Sequence, residues 1–239
     1  MIVKSQLKLI RSLHQKKYRN QHQLFIAEGI KVVNELLDSD FRPYQLYTTD
    51  PRILATSEEA FETISEGELK QMSTLTTPNT VLGVFHMPKA EKVDFSDWVL
   101  VLDAVRDPGN LGTIIRLCDW FGIRHLVCSA TTVDCYNPKV LQATMGSIAR
   151  VNLVYTDIIV FLKEVSRPVY GAFMNGSSVY SEKLPKAGIL VMGNEANGIS
   201  EEIEKLTSKK IAIPQFGKKT AESLNVASAT SILLNEIRR

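Results

Sequence analysis

Three stretches of this 239-residue chain combine side chains that can do chemistry with residues that let backbone come close to a ligand. The first is Asp107-Pro-Gly-Asn-Leu-Gly-Thr-Ile-Ile-Arg116. It places a cation, Arg116, one helical turn after Gly112, beside a spot with no side chain. The second is Leu190-Val-Met-Gly-Asn-Glu-Ala-Asn-Gly-Ile-Ser200, where Gly193 and Gly198 permit close approach and Glu195 offers a carboxylate. The third is Ile211-Ala-Ile-Pro-Gln-Phe-Gly-Lys-Lys-Thr-Ala-Glu-Ser-Leu-Asn-Val226, an apolar run, a flexible loop and a helix opening with Ser223 and Asn225. Each has a plain alternative: Asn110 and Ser200 as helix N-caps, Glu195 as a loop carboxylate, Arg116 as a surface cation. Three such stretches in succession, each at the carboxyl end of an expected strand, favour a shared ligand site.

The elements that must position these residues alternate. Strands are expected at Val99–Leu102, Arg124–Cys128, Val151–Val154, Pro168–Phe173, Gly188–Met192 and Lys210–Ile213, and helices at Leu111–Phe121, Pro138–Ala149, Asp157–Val165, Ser200–Thr207 and Glu222–Ile237. Such alternation predicts a largely parallel sheet covered on both faces, with ligands at the carboxyl ends of its strands. Asp107-Pro108-Gly109 is a turn signal, Asn110 suits the N-cap, and Gly122 suits the left-handed position after the last turn. Upstream, residues 1 to about 23 read as one amphipathic basic helix. Leu24–Leu37 reads as a strand entering a helix, Tyr44–Tyr47 and Val81–Met87 as strands, and Glu66–Met72 as a helix; Glu58–Ser65 is ambiguous. The charged, apolar-poor stretch Lys89–Asp94 marks a boundary, giving domains 1–92 and 93–239, both α/β.

The formal charge is only +2, but Lys4, Lys8, Arg11, Lys16, Lys17 and Arg19 all precede the first acidic residue, Glu28. Lys16-Lys17-Tyr18-Arg19 sets cations around an aromatic ring, which suits either a phosphate backbone with a stackable base or an ordinary solvated face. No run is long enough to span a bilayer, and the first residues lack the apolar core of a signal peptide. Three cysteines and four scattered histidines lack metal-ligand spacing, so buried thiols in a reducing cytoplasm and no metal site are expected.

What the strand-end loops lack narrows the ligand. There is no Gly-x-Gly-x-x-Gly, no Gly-x-x-x-x-Gly-Lys-Ser/Thr and no Gly-x-Ser-x-Gly, which argues against a dinucleotide fold, a P-loop nucleotidase and a serine hydrolase. Backbone-rich loops, apolar walls and one placed arginine suit a small neutral or cationic organic cofactor.

The three stretches, in this order and spacing, resemble the motifs of the SpoU (TrmH-like) RNA ribose 2′-O-methyltransferases of the SPOUT superfamily. Tyr136-Asn-Pro-Lys-Val-Leu-Gln-Ala-Thr-Met-Gly-Ser147 is similar to a further stretch of that family, with Gln142 and Thr144 departing from its usual residues. Phe25-Ile-Ala-Glu-Gly29 and Pro78-Asn-Thr-Val-Leu-Gly-Val84 resemble the ribosomal-protein-like substrate-binding domain often attached to it. The resemblance implies a trefoil-knotted catalytic domain using S-adenosylmethionine. Met192, Gly193, Asn194, Ile213 and Leu224 would hold that cofactor. Arg116 would be the essential arginine, supported by Asn110, Glu195, Ser223 and Asn225. Lys16, Lys17, Arg19 and Lys139 are the expected RNA contacts. A cytoplasmic homodimer acting on ribosomal RNA is implied; transfer RNA, or a catalytically inactive RNA-binding factor, are the alternatives.

Overall fold

Val99–Leu102, apolar at all four positions, forms strand β5 in mid-sheet and is buried throughout. The computed structural model describes residues 2–50, 52, 61–217 and 223–239. These fall into two compact units, one of Met1–Lys89 with Asp134–Ala149, the other of Ala90–Val133 with Arg150–Arg239.

The first unit holds helices α1 (Lys4–Ser12), α2 (Lys16–His22), α3 (Ile30–Leu37) and α4 (Glu66–Met72). Its sheet is built from β1 (Leu24–Glu28), β2 (Pro43–Thr48), β3 (Phe61–Thr63) and β4 (Val81–His86) in the order β1-β4-β2-β3. Strand β4 is antiparallel to both its neighbours. The ambiguous stretch contributes β3, whereas its residues 58–60 lie outside the described ones. The expected single N-terminal helix is two. The chain bends at Leu13–Gln15 because the guanidinium of Arg19 donates to the carbonyls of Leu13 (2.9 Å) and His14 (3.0 Å).

The division into 1–92 and 93–239 places Asp134–Ala149 in the second block, and the structure puts this segment in the first unit instead. Its own side chains explain the difference. Tyr136 packs its ring 4.6 Å from that of Phe25, Gln142 Nε2 donates to the Glu28 carbonyl at 2.8 Å, and Asp134 pairs with Arg19. Helix α6 (Pro138–Thr144) is shorter than expected. Met145 and Gly146 turn left-handed, and a Cβ at position 146 would lie 2.6 Å from the Glu35 side chain, so only glycine fits there.

The second unit is the parallel α/β sheet read from the alternation. Strands β5, β6 (His125–Ser129), β7 (Asn152–Thr156), β8 (Val169–Ser178), β9 (Ile189–Met192) and β10 (Lys209–Ala212) stand in the order β10-β8-β9-β5-β6-β7, and every pairing is parallel. Helices α5 (Pro108–Trp120), α7 (Ile158–Glu164), α8 (Glu201–Glu204) and α9 (Val226–Arg238) connect or follow them. The stretch Ser200–Thr207 yields only one helical turn, α8. Strand β8 runs five residues past its expected end. Helix α9 opens at Val226; the expected start, Glu222, lies outside the described residues. Leu102 stands level with Met192 across the β5–β9 ladder, so the loops that follow leave the sheet side by side.

Candidate active site

Asn110 does not cap its helix. That position belongs to Asp107, whose carboxylate accepts from the Asn110 backbone N–H at 2.7 Å, with Pro108 in the first turn. The displacement frees the Asn110 amide for a tertiary role. Asn225, the N-cap of α9, uses Oδ1 to accept from the N–H groups of Ala227 (2.9 Å) and Ser228 (3.3 Å). Its Nδ2 must then donate, and it does so to Asn110 Oδ1 at 2.9 Å. Asn110 Nδ2 donates in turn to Glu195 Oε1, also at 2.9 Å. One directional chain, Asn225 to Asn110 to Glu195, thus ties together three strand-end loops that are far apart in sequence.

The second loop is closed on itself. Asn194 and Gly198 exchange two backbone hydrogen bonds of 2.9 Å, and a Cβ on Gly193 would lie 2.2 Å from the Gly198 carbonyl carbon. Gly193 is therefore required by backbone meeting backbone, rather than by a ligand. Gly198 needs its left-handed φ of +68°. Asn194 Nδ2 donates to the Ala104 carbonyl at 2.7 Å and touches the other oxygen of Glu195 at 3.4 Å. Ser200 occupies an N-cap position without using its hydroxyl; its N–H donates to the buried carboxylate of Asp103 at 2.8 Å.

Beside this network lies a cavity of about 630 Å³, within the range of roughly 300–1,000 Å³ usual for small-molecule sites. All five residues expected to hold a cofactor, Met192, Gly193, Asn194, Ile213 and Leu224, line it, as do Glu195 and Ser223. Ile211, Val226 and Leu233 add apolar wall. This donor set fits S-adenosylmethionine: among the described residues that line the cavity there are apolar side chains for an adenine, main-chain and amide groups for its polar edges, one carboxylate, and no cluster of cations that a polyphosphate would need. Sequence reasoning missed the contribution of β8. The β10–β8 register jumps from Lys210↔Gly171 to Ile211↔Ser177, so residues 172–176 leave the ladder, and Ala172, Phe173 and Met174 line the cavity. Applying the strand-end rule to the expected strand Pro168–Phe173 would have found them.

Arg116 lies on the exposed side of α5, with no hydrogen-bond or ion-pair partner among the described residues. Lys16, Lys17 and Lys139 are exposed, Lys17 with its ammonium 5.7 Å from the centre of the Tyr18 ring. Arg19 is not an RNA contact. It is 2 % exposed and paired with Asp134 at 2.5 Å, leaving no donor face for a phosphate. Cys118, Cys128 and Cys135 are buried, and burial pushes the Cys118 and Cys128 thiols well up, so they have no nucleophilic role. Among the described residues no cluster of ligands could hold a metal ion, and no helix is long and apolar enough to cross a membrane.

Comparison with known proteins agrees with this geometry. Residues 97–235 match the SpoU rRNA Methylase family, and residues 4–83 match the MRM3-like substrate binding domain. The chain is 33 % identical to the Bacillus subtilis (strain 168) 23S rRNA (guanosine(2553)-2′-O)-methyltransferase RlmP, over 95 % of this chain and 94 % of that one. A solved TrmH-family structure from Porphyromonas gingivalis is 39 % identical with a TM-score of 0.92, covering 100 % of this chain and 98 % of its own. The AdoMet-bound rRNA methyltransferase from Sinorhizobium meliloti is 29 % identical with a TM-score of 0.87, covering 100 % and 95 %. With its strand-end network, its apolar cavity and this match over more than half of its length, the chain belongs to the SpoU rRNA methylase family.

Proposed function

We propose that this protein transfers a methyl group from S-adenosylmethionine to the 2′-hydroxyl of a ribose in ribosomal RNA. The observation that carries the reading is the Asn225–Asn110–Glu195 chain at the rim of an apolar cavity, with Arg116 unpartnered two turns along the same helix as Asn110. Asn225, Asn110 and Glu195 joined in one chain, with an exposed arginine further along α5, support an enzyme over an RNA-binding factor that has lost catalysis. Ribosomal RNA is preferred to transfer RNA because the Bacillus subtilis relative, aligned along nearly its whole length, is named for 23S rRNA.

When bound, the cofactor supplies a methyl group already activated by a sulfonium. The chain's own task is to place the ribose hydroxyl in line and to manage one proton. Positioning of this kind is worth an effective molarity on the order of 10⁵–10⁸ M. Arg116 is not the base, since a guanidinium offers donors and no acceptor. It serves instead as a two-pronged donor, to the neighbouring phosphate and to the oxygen of the attacking hydroxyl, and stabilises charge that grows on that oxygen. The proton leaves to the phosphate, to water or to another side chain. Glu195, held by Asn110, and Ser223 stand at the cavity rim to orient the reacting groups.

The reading includes a homodimer, a trefoil knot around the cofactor loops and a cytoplasmic setting, supported by the family membership. The run Ala227-Ser-Ala-Thr-Ser231 on α9 would allow close packing of two copies. Sedimentation at micromolar concentration should give a dimer, and a pure monomer would remove that element. For the activity itself, Arg116→Ala is expected to lower kcat by roughly 10²–10³ while cofactor affinity, read by calorimetry, stays within about twofold. Near-normal turnover in that variant would sink the assigned role of Arg116.

A further inference from the structure

The first unit carries an exposed feature that the catalytic reading does not use. Strand β2 is an interior strand, yet its second residue, Tyr44, is 51 % exposed. The cause is a bulge. Pro43 pairs with Phe85 and Gln45 with Val84, so Tyr44 has no partner on β4 and its ring is thrown outward. There it meets His86, the exposed last residue of β4, with ring centres 5.7 Å apart and planes at 79°. Rings set edge to face leave at least one face of each uncovered by the other, and together they form a right-angled corner. A cavity of about 330 Å³ adjoins the corner on its His86 side, lined by His86 and by Arg42 and Lys89 but not by Tyr44. Both cations are exposed and have no ion-pair partner among the described residues. Asp40 lines the cavity too and supplies a carboxylate.

We propose that this corner binds an unstacked nucleotide of single-stranded RNA. A planar base enters against the Tyr44–His86 rings, Arg42 and Lys89 take the flanking phosphates, and Asp40 accepts from an exocyclic amino group. A base held in a duplex cannot enter, because its faces are already stacked. An uncharged peptide would use the aromatic corner but leave the two cations of the cavity without anions, whereas a nucleotide supplies both a planar ring and phosphates. The inference rests on RNA being the substrate, but its test reads binding rather than methyl transfer, so either reading can fail without the other.

The test measures fluorescence anisotropy of the full-length protein with labelled single-stranded oligoadenylate, and with its duplex with oligouridylate, from about 50 to 200 mM salt. Stacking of one base on an aromatic ring predicts that Tyr44→Ala weakens single-strand binding roughly 5- to 100-fold while duplex binding holds within twofold. Tyr44→Phe should stay within twofold of the natural protein. The double substitution Arg42→Gln with Lys89→Gln should flatten the log–log salt slope on single strands by about 1.4, or 0.7 for each contact. Thermal melts and cofactor affinity should not move. The proposal is overturned if the natural protein does not bind the single strand, if Tyr44→Ala binds normally or loses both forms equally, or if the salt slope is unaltered. Binding of an acidic peptide at the corner in preference to the oligonucleotide would also overturn it.

Discussion

The direction of the amide chain at the active site can be tested by reversing one link. Asn225 has no freedom, because its Oδ1 is committed to two backbone N–H groups of α9; it must donate to Asn110, and Asn110 must donate to Glu195. In Asn110→Asp the new carboxylate still accepts from Asn225 but faces the carboxylate of Glu195 across about 2.9 Å. At the dielectric of water, two like charges at that separation repel by about 1.4 kcal/mol, and the lost hydrogen bond adds about 1 kcal/mol. Together these amount to about 2.4 kcal/mol, or roughly 50-fold, against the arrangement that presents Glu195 to the reacting groups. Single-turnover methylation of RNA at saturating cofactor reads this directly. Adding Glu195→Gln to Asn110→Asp restores a donor opposite the new acceptor, so the double variant should recover most of the loss relative to Glu195→Gln alone. If Asn110→Asp turns over within threefold of the natural protein, or if the double variant is no better than the two losses summed, the carboxylate is not held through this chain.

Three other predictions concern the framework. Arg19→Met should destabilise the fold by about 3–5 kcal/mol in equilibrium unfolding, since it strands the Asp134 carboxylate and two carbonyls, while leaving the salt slope of RNA binding unaltered; a changed slope with normal stability would return Arg19 to the RNA surface. Gly193→Ala should abolish cofactor binding, because its methyl cannot share space with the Gly198–Ile199 backbone; intact affinity by calorimetry would show that the loop can open at little cost. Burial holds the His125 imidazole below its ordinary 6.5, with the Arg124 charge adding to the effect; the ring meets the Asp94 N–H at 3.2 Å and the Asn152 amide at 2.9 Å. As pH falls below 6.5 the unfolded chain binds a proton that the native state resists, so stability should decline from there toward the native pKa and stay level above 6.5. Urea midpoints measured across that range should show the slope, and His125→Gln should remove it; an unaltered slope would assign it to other groups.

Periodicity and residue type were enough for the parallel sheet, since a strand covered on both faces, such as Val99–Leu102, must be apolar at every position and its neighbours must be reached by crossover helices. They were enough, too, for the three loops, because glycine, asparagine and a lone arginine at strand ends are residue types with few other reasons to gather. Strand order was not legible in this way. Only the pairing of β5 with β9, and the placing of β8 between β9 and β10, decides that the loops after Leu102 and Met192 stand together and that residues 172–174 enter the cavity. Local rules also misjudged Asn110 and Arg19. Asp107 and Asn110 flank the Pro-Gly turn and carry the same cap signal, and a basic run does not say which of its cations is buried. Those choices are made by partners 85 to 115 residues away, Glu195 and Asn225 for the one and Asp134 for the other, which come within hydrogen-bonding range only when the chain has folded.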